Sequence, residues 1–321
     1  MKTTLCSMIL VLVSVFSGYG KPLDLALGAR PQGMGSAFIA IADDANASYW
    51  NPAAMALVSR LEFSVSNLLN QEFLGVNVNI LNGIVPLPGL GTLGFSWQMV
   101  NAGLEEGDPD NELDFREDHW QEHVFSLSIA RKLWDKLLVF RNTSMGITLD
   151  RYMYSTDFYD GAGLGFDLSV FTLLPYDIRF GLMARSLAAE MEGEMFDPEF
   201  RAGLGYELTI KEINRLVFAS DIALKKNIEY ANTPELEFRN MNFKVFEGVE
   251  YSFLKIKDFT PALRLGTNLT PLNDRGGIWA YACGGIGATY KNYRIDYAFI
   301  YNSKPELGLG TRHHVAISFF R

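Results

Sequence analysis

From Arg60 almost to the C-terminus, apolar and polar residues alternate with period 2, the pattern of strands with one apolar and one polar face. Leu93, Phe95, Trp97 and Met99 stand against Gly94, Ser96 and Gln98, and Leu164, Phe166, Leu168 and Val170 against Gly163, Gly165, Asp167 and Ser169. Ala202, Leu204, Tyr206 and Leu208 alternate with Arg201, Gly203, Gly205 and Glu207, and Tyr293, Ile295, Tyr297 and Phe299 with Arg294, Asp296 and Ala298. In Leu74, Val76, Val78 and Ile80 the intervening residues are Gly75, Asn77 and Asn79. About fourteen such segments begin near Leu61, Phe73, Thr92, Val124, Val139, Ala162, Ile178, Phe200, Leu216, Phe243, Ala262, Ile278, Tyr293 and His313, an even number in the range of single-chain outer-membrane barrels.

The connections sort by parity. Odd ones are long or polar (residues 101–122, 152–160, 188–198, 225–240, 270–277 and 302–310). Even ones are mostly short (131–137, 172–176, 209–214, 254–259 and 291–292), with residues 82–90 the longest exception. Long loops at one end and short turns at the other are the asymmetry of an outer-membrane barrel. A soluble sandwich has no reason to produce it, and its polar face is usually charged and solvated. Here the polar face is rich in Gly, Ser, Asn and isolated charges, which suits a hydrated or plugged lumen. The expected fold is all-β, a transmembrane antiparallel barrel over residues 61–321. The last strand carries Phe319 and Phe320, as outer-membrane barrels do, but Arg321 follows them.

Residues 1–20 read as a cleaved export signal: Lys2, an apolar run over residues 5–16 too short to span a bilayer comfortably, then Gly18-Tyr19-Gly20. Once it is removed, Cys283 is the only cysteine, so no intramolecular disulfide is expected. Export without disulfides fits a bacterial envelope protein. The net charge of −9, from 28 basic and 37 acidic residues, argues against nucleic acid as a partner.

Little catalytic chemistry is expected, and neither cofactor nor metal. His119-Trp120-Gln121-Glu122-His123 matches an H-x-x-E-H zinc-peptidase pattern, which needs a helix; here it closes a polar loop before a strand at Val124. The glycine runs at 161–165 and 284–287 open no helix after a strand and fail the condition for phosphate loops. Asp43 and Asp44 lack the regular ligand spacing of a calcium loop. The charges on the inward face matter more: Arg179, Arg185, Arg201, Arg264 and Arg294, with Asp167, Glu207, Asp221, Glu250 and Asp296. They are expected to pair plug with wall, or one or two arginines to meet an anionic ligand headgroup.

Residues 30–56 differ from everything after them. Gly33, Gly35, Ser36, Ala37, Ala40 and Ala42 let backbone pass close to a wall, and Asn51-Pro52 forbids helix continuation. Gly33-Met34-Gly35-Ser36-Ala37-Phe38, Ala42-Asp43-Asp44-Ala45 and Trp50-Asn51-Pro52-Ala53 follow one another at family spacing. The stretch resembles the N-terminal plug, or hatch, of FadL-like outer-membrane proteins, including the PorV/PorQ branch. The resemblance implies a small helical plug over residues 21–60 and a place in the outer membrane, in contact with its lipid. It further implies passage of fatty-acid-like hydrophobic molecules by plug movement. Gly33, Gly35, Asp43, Asp44, Trp50, Asn51 and Pro52 would then be the gating residues, and Arg179, Arg185, Arg201 and Arg264 lumenal contacts to ligand or plug. The PorV branch implies the alternative, a partner in type IX secretion that binds or shuttles cargo proteins. FadL-like transporters are typically longer than this chain, which shifts the expectation toward the shorter PorV/PorQ-like group.

Overall fold

The computed structural model describes residues 27–70, 76–106, 116–156, 160–191, 194–226, 241–254, 258–271, 278–303 and 311–321. Residues 1–20, expected to be an export signal, and much of the long connections lie outside them. The plug holds two short helices, α1 (Ala29–Gly33) and α2 (Ala47–Trp50), and a 3-10 segment, Pro52–Leu57. The wall follows as β1 (Glu62–Asn70), β2 (Val76–Leu87), β3 (Gly91–Glu106), β4 (Arg116–Leu137), β5 (Phe140–Thr156), β6 (Asp160–Leu173) and β7 (Arg179–Met191). A two-residue β8 (Glu194–Met195) pairs with β7. Then come β9 (Glu199–Ile210), β10 (Asn214–Lys226), β11 (Met241–Phe253), β12 (Phe259–Pro271), β13 (Ile278–Tyr290), β14 (Tyr293–Asn302) and β15 (Arg312–Phe320).

Leaving β8 aside, fourteen strands pair antiparallel with their sequence neighbours, and β1 pairs with β15 from Glu62↔Phe320 to Asn70↔Arg312. The sheet is therefore a closed barrel without edges. Its polarity is that of a protein in lipid: Leu127, Leu149, Leu204, Leu263, Leu265 and Ile295 are exposed outside, while Ser96, Thr148, Ser169, Arg201, Arg264 and Asp296 are buried inside.

The walls are taller than the alternation implied. β4 has 22 residues and β5 17, against the roughly 9–11 that cross a bilayer. The polar stretch expected as a loop up to Glu122 is strand on both sides, with Glu105↔Glu117 and Ala102↔Trp120 in register. His119–His123 thus lies within β4, not in a loop before Val124. Beyond the bilayer a ladder needs only backbone partners, so polar side chains do not end it. At the other end β4 runs to Leu137 through a bulge at Lys132/Trp134, where a turn over 131–137 was expected. The expected long connection at 82–90 shrinks likewise, because β2 pairs through Leu87 and the turn is residues 88–90.

One expectation is inverted. Val78 and Ile80 point inward, fully buried, while Asn77 and Asn79 are on the outer face. Period 2 says which residues share a face; it does not say which face is inside. Here the plug decides, because Leu27, Leu68, Val78, Ile80 and Val100 form an apolar cluster against Tyr49.

The plug fills the barrel. Its helices are too short to persist alone, so the wall holds them. Phe38, Ile39, Trp50 and Met55 are buried in the main core, each contributing roughly 1.5–3 kcal/mol by removal from water. The glycine-rich wall makes room for backbone. A Cβ on Gly266 would collide with the backbone of Met34 and Gly35, and Gly35 itself has φ +63.

Candidate functional site

The most organised polar feature is a ring of charge joining plug to wall. Arg30 on α1 donates to Glu250 on β11, Nε to Oε2 at 2.8 Å and Nη2 to Oε1 at 3.1 Å. Glu250 accepts from Arg264 Nε at 2.6 Å, and Arg264 Nη1 reaches Asp296 at 2.7 Å. Asp296 accepts from Arg294 Nε at 2.8 Å, and Arg294 Nη2 donates to Asp44 at 2.8 Å. Asp44 accepts from Arg30 Nη1 at 2.8 Å, which closes the circuit. Three arginines and three carboxylates alternate, all buried, and their charges cancel. This is how buried charge is tolerated, since each group keeps opposite partners in hydrogen-bonded geometry.

Asp43 branches from the ring. It accepts from Arg30 at 2.5 Å and Arg215 at 2.9 Å, with Arg179 at 3.7 Å. Glu207 bridges Arg179 at 2.6 Å and Arg215 at 3.0 Å. Burial pushes the Asp43 carboxyl up, but the Arg30, Arg215 and Arg179 guanidiniums outweigh it and hold the group well below the usual carboxylate range.

Asn51 is fully buried and ties the plug together, its Nδ2 donating to Ile39 O at 2.8 Å and to Val170 O on β6 at 3.4 Å. Pro52 opens the 3-10 segment, where its missing N–H costs nothing. The next amide, of Ala53, donates to Ser169 Oγ at 2.9 Å, and Ala53 O accepts from Ser144 at 2.7 Å. Trp50 donates to Leu27 O at 2.8 Å and meets Phe38 edge-on. Gly33 lies against Gly285 and Arg264, and Gly35 against Thr267 and Glu247. Asp221 on β10 receives the Phe38 and Ile39 amides at 2.8 and 3.0 Å.

The lumenal arginines read from the alternation all point inward, but they fall into two groups. Arg264, Arg294 and Arg179 belong to the ring and its branch. Arg185 and Arg201 lie on the long-loop side of the plug. Arg185 donates to Tyr49 O at 2.6 Å and stacks on the Tyr49 ring; Arg201 bonds Ser36 O and Asp221 and lies over Phe246. Arg30, Arg215 and Arg312 were missed. A lone charge among Gly28, Ala29 and Pro31 marks Arg30, and the parity shared with Asp221 marks Arg215 as lumenal.

Among the described residues, one cavity lies on each side of the plug. One of about 590 Å³ opens beneath it at the short-turn end, lined by Asp43, Arg60, Arg179, Glu207, Arg215 and Phe320 among others. The other, about 140 Å³, lies above it and includes Arg185, Arg201, Lys244 and Arg312 with Tyr49 and Trp279. Among the described residues that line it, Glu199 is the single acid. Arg312 is buried over the Tyr281 ring, and its Nε has no hydrogen-bond partner among the described residues. Tyr49 also borders the Leu68/Val78/Ile80 cluster, so a cationic patch and an apolar patch adjoin.

On the same side the wall changes. β7 pairs with β9 only from Arg179↔Gly205 to Arg185↔Glu199; its later residues keep β6 on one side and pair with the short β8 on the other. Ser186 and Ala188 have φ of 56 and 49, and two register shifts mark the bend.

A closed fourteen-stranded barrel with an apolar outer belt and an N-terminal plug ion-paired to its wall has the architecture of a plugged transmembrane-type barrel. Solved structures share it. The Pseudomonas putida toluene transporter TodX superposes with TM-score 0.58 at 12% identity, covering 95% of this chain and 98% of that one. A Pseudomonas aeruginosa FadL homologue gives 0.52 at 11%, covering 95% and 99%. The Ralstonia pickettii toluene transporter TbuX gives 0.51 at 12%, covering 92% and 97%. No family model and no curated relative matches the sequence.

Proposed function

We propose that this protein is an outer-membrane transporter for small hydrophobic molecules that carry an anionic end. The observation that carries the reading is the junction above the plug. A buried cation, Arg312, whose Nε has no hydrogen-bond partner among the described residues, lies with Arg185, Arg201 and Lys244 and adjoins the Leu27/Leu68/Val78/Ile80/Val100 cluster across Tyr49. A carboxylate-like head suits the first patch and a hydrocarbon tail the second. The likeness to TodX, TbuX and the FadL homologue supports the same direction. Export through a cleaved N-terminal segment belongs to the same reading.

In this mechanism ligand enters from the long-loop side, its head held by the arginines while its tail displaces the apolar cluster. The plug then shifts, and ligand leaves through the polar vestibule beneath. Gly33, Gly35 and the Asn51-Pro52 break supply the close packing and the hinge. Asp43 and Asp44 release the plug when their arginines change partners. The cargo-binding alternative of the PorV/PorQ branch gains no support from the three solved structures.

The test is mass spectrometry of organic extracts from the purified, heat-modifiable barrel, together with uptake of a fluorescent fatty acid into proteoliposomes. A stoichiometric amphiphile and uptake above protein-free vesicles are expected. An empty barrel with background uptake overturns the reading.

A further inference from the structure

Near the upper ends of β1 and β2 the barrel reverses its polarity locally, although Val65 and Leu69 of β1 still face outward. On β1 and β2 the apolar residues Leu68, Val78 and Ile80 face the plug, and Asn67, Asn77 and Asn79 face outward. Depth follows from the register. Phe63, Phe319 and Tyr293 form one outward row near the short turns. Asn67 and Asn79 pair with each other four residues further up, and Asn77 pairs with Leu69 beyond that. At about 3.3 Å per residue and a tilt near 40°, these amides lie ~10–15 Å above the aromatic row. The apolar band of such barrels is about 25 Å tall, so they sit near its middle. Elsewhere most outward positions are apolar, as at Leu204, Leu263, Leu265 and Ile286, with the exposed Ser220–Glu247 pair another polar exception.

Hydrocarbon offers an amide no hydrogen-bond partner. The three asparagines bond partly to one another. Asn67 Nδ2 donates to Asn79 Oδ1 at 2.9 Å, to Asn77 Oδ1 at 3.1 Å and to Val78 O at 3.3 Å, and Asn79 Nδ2 donates to Asn77 Oδ1 at 2.8 Å. Among the described residues this leaves the Asn77 amide donors and the Asn67 Oδ1 acceptor unused. A free donor and a free acceptor side by side on one uncharged patch are self-complementary under a two-fold axis. Beside them Trp97, Phe125 and His123 stack on one another, Trp97 and Phe125 at an interplanar angle of 4°, which makes a compact aromatic cluster on the same face.

We propose that the outer face of β1–β4 is the contact between two copies of this chain in the membrane. Asn77 of each copy donates to Asn67 of the other, and the Trp97/Phe125 face packs around the amides. The inference rests on the membrane reading of the barrel and is independent of what the lumen carries. The absence of formal charge from the amide cluster favours a second copy over a charged partner.

The experiment uses the full chain in lipid nanodiscs, with mass measured by native mass spectrometry. A dimer is expected. In the triple variant Asn67→Leu, Asn77→Leu, Asn79→Leu, the dimer fraction falls at least tenfold while the heat-modifiable band persists. A monomeric wild type, a triple variant that stays dimeric, or a different protein or lipid held stoichiometrically on this face overturns the proposal. A chain that fails to insert into nanodiscs at all overturns the membrane reading and the dimer with it, whereas an inserted monomer overturns the dimer alone.

Discussion

Arg30 of the plug and Glu250 of β11 meet in a two-pronged ion pair, Nε to Oε2 at 2.8 Å and Nη2 to Oε1 at 3.1 Å. They are 220 residues apart in sequence, and their pairing joins helix α1 of the plug to strand β11 of the wall. Both are buried in a ring whose charges cancel, so removing either leaves the ring with one uncompensated charge.

Arg30→Ala therefore costs about 3–5 kcal/mol of plug docking. The barrel's strand ladder does not pass through Arg30, so the heat-modifiable band stays. Limited proteolysis in detergent should cut residues 30–56 faster than in wild type. Equal protection would show that the ring does not hold the plug.

Asn51→Ala and Pro52→Ala bear on gating. Asn51 bonds Ile39 and Val170, and Pro52 sets the bend before Ala53. Both variants should change fatty-acid uptake more than they change the unfolding temperature of the barrel. Unchanged uptake in correctly assembled protein would sink the gating role.

Two glycines offer a paired test of close packing. A Cβ on Gly266 would strike the backbone of Gly35, whereas one on Gly284 meets nothing within 4 Å. Gly266→Ala should destabilise by about 1–3 kcal/mol or more, as overpacking does, and Gly284→Ala should be close to neutral. Heat-modifiability midpoints compare them directly, and equal midpoints would refute the packing argument.

Asp43 sets a pH expectation. Its carboxyl is held well below the usual range in the folded protein. A carboxyl depressed in this way contributes stability that is fully present above its unfolded value, near 3.9, and is lost only as pH falls through the folded one. The Asp43 contribution, read as the difference in plug protection between wild type and Asp43→Asn under an acid-tolerant protease, should thus stay constant from pH 8 to about pH 4 and shrink only below it. Loss of that difference between pH 5 and 4 would contradict this.

Arg312→Ala addresses the ligand head. It should weaken retention of a fatty acid at least tenfold, and of the matching fatty alcohol far less, by titration of the purified barrel. Equal losses for both would remove the arginine from head recognition.

Much of the architecture was legible before any coordinates. Alternation such as Leu263–Arg264–Leu265 and the parity of the connections defined a barrel with charged residues inside, because lipid and lumen impose opposite chemistry on alternate residues. Residues 33–38 and 51–53 marked a closely packed plug. Strand ends at Glu106, Arg116 and Leu137 were not legible, since a ladder continues beyond the bilayer on backbone hydrogen bonds alone.

What only the tertiary structure decided is who meets whom. Sequence placed Arg264, Glu250, Asp296 and Asp44 on inward or plug positions, but ring closure depends on shear and on where the plug sits, and neither is a local property. The same holds for Asn77 and Val78. Their alternation was plain, and the side that faces the lumen was settled by Leu27, Leu68 and Tyr49 packing from within.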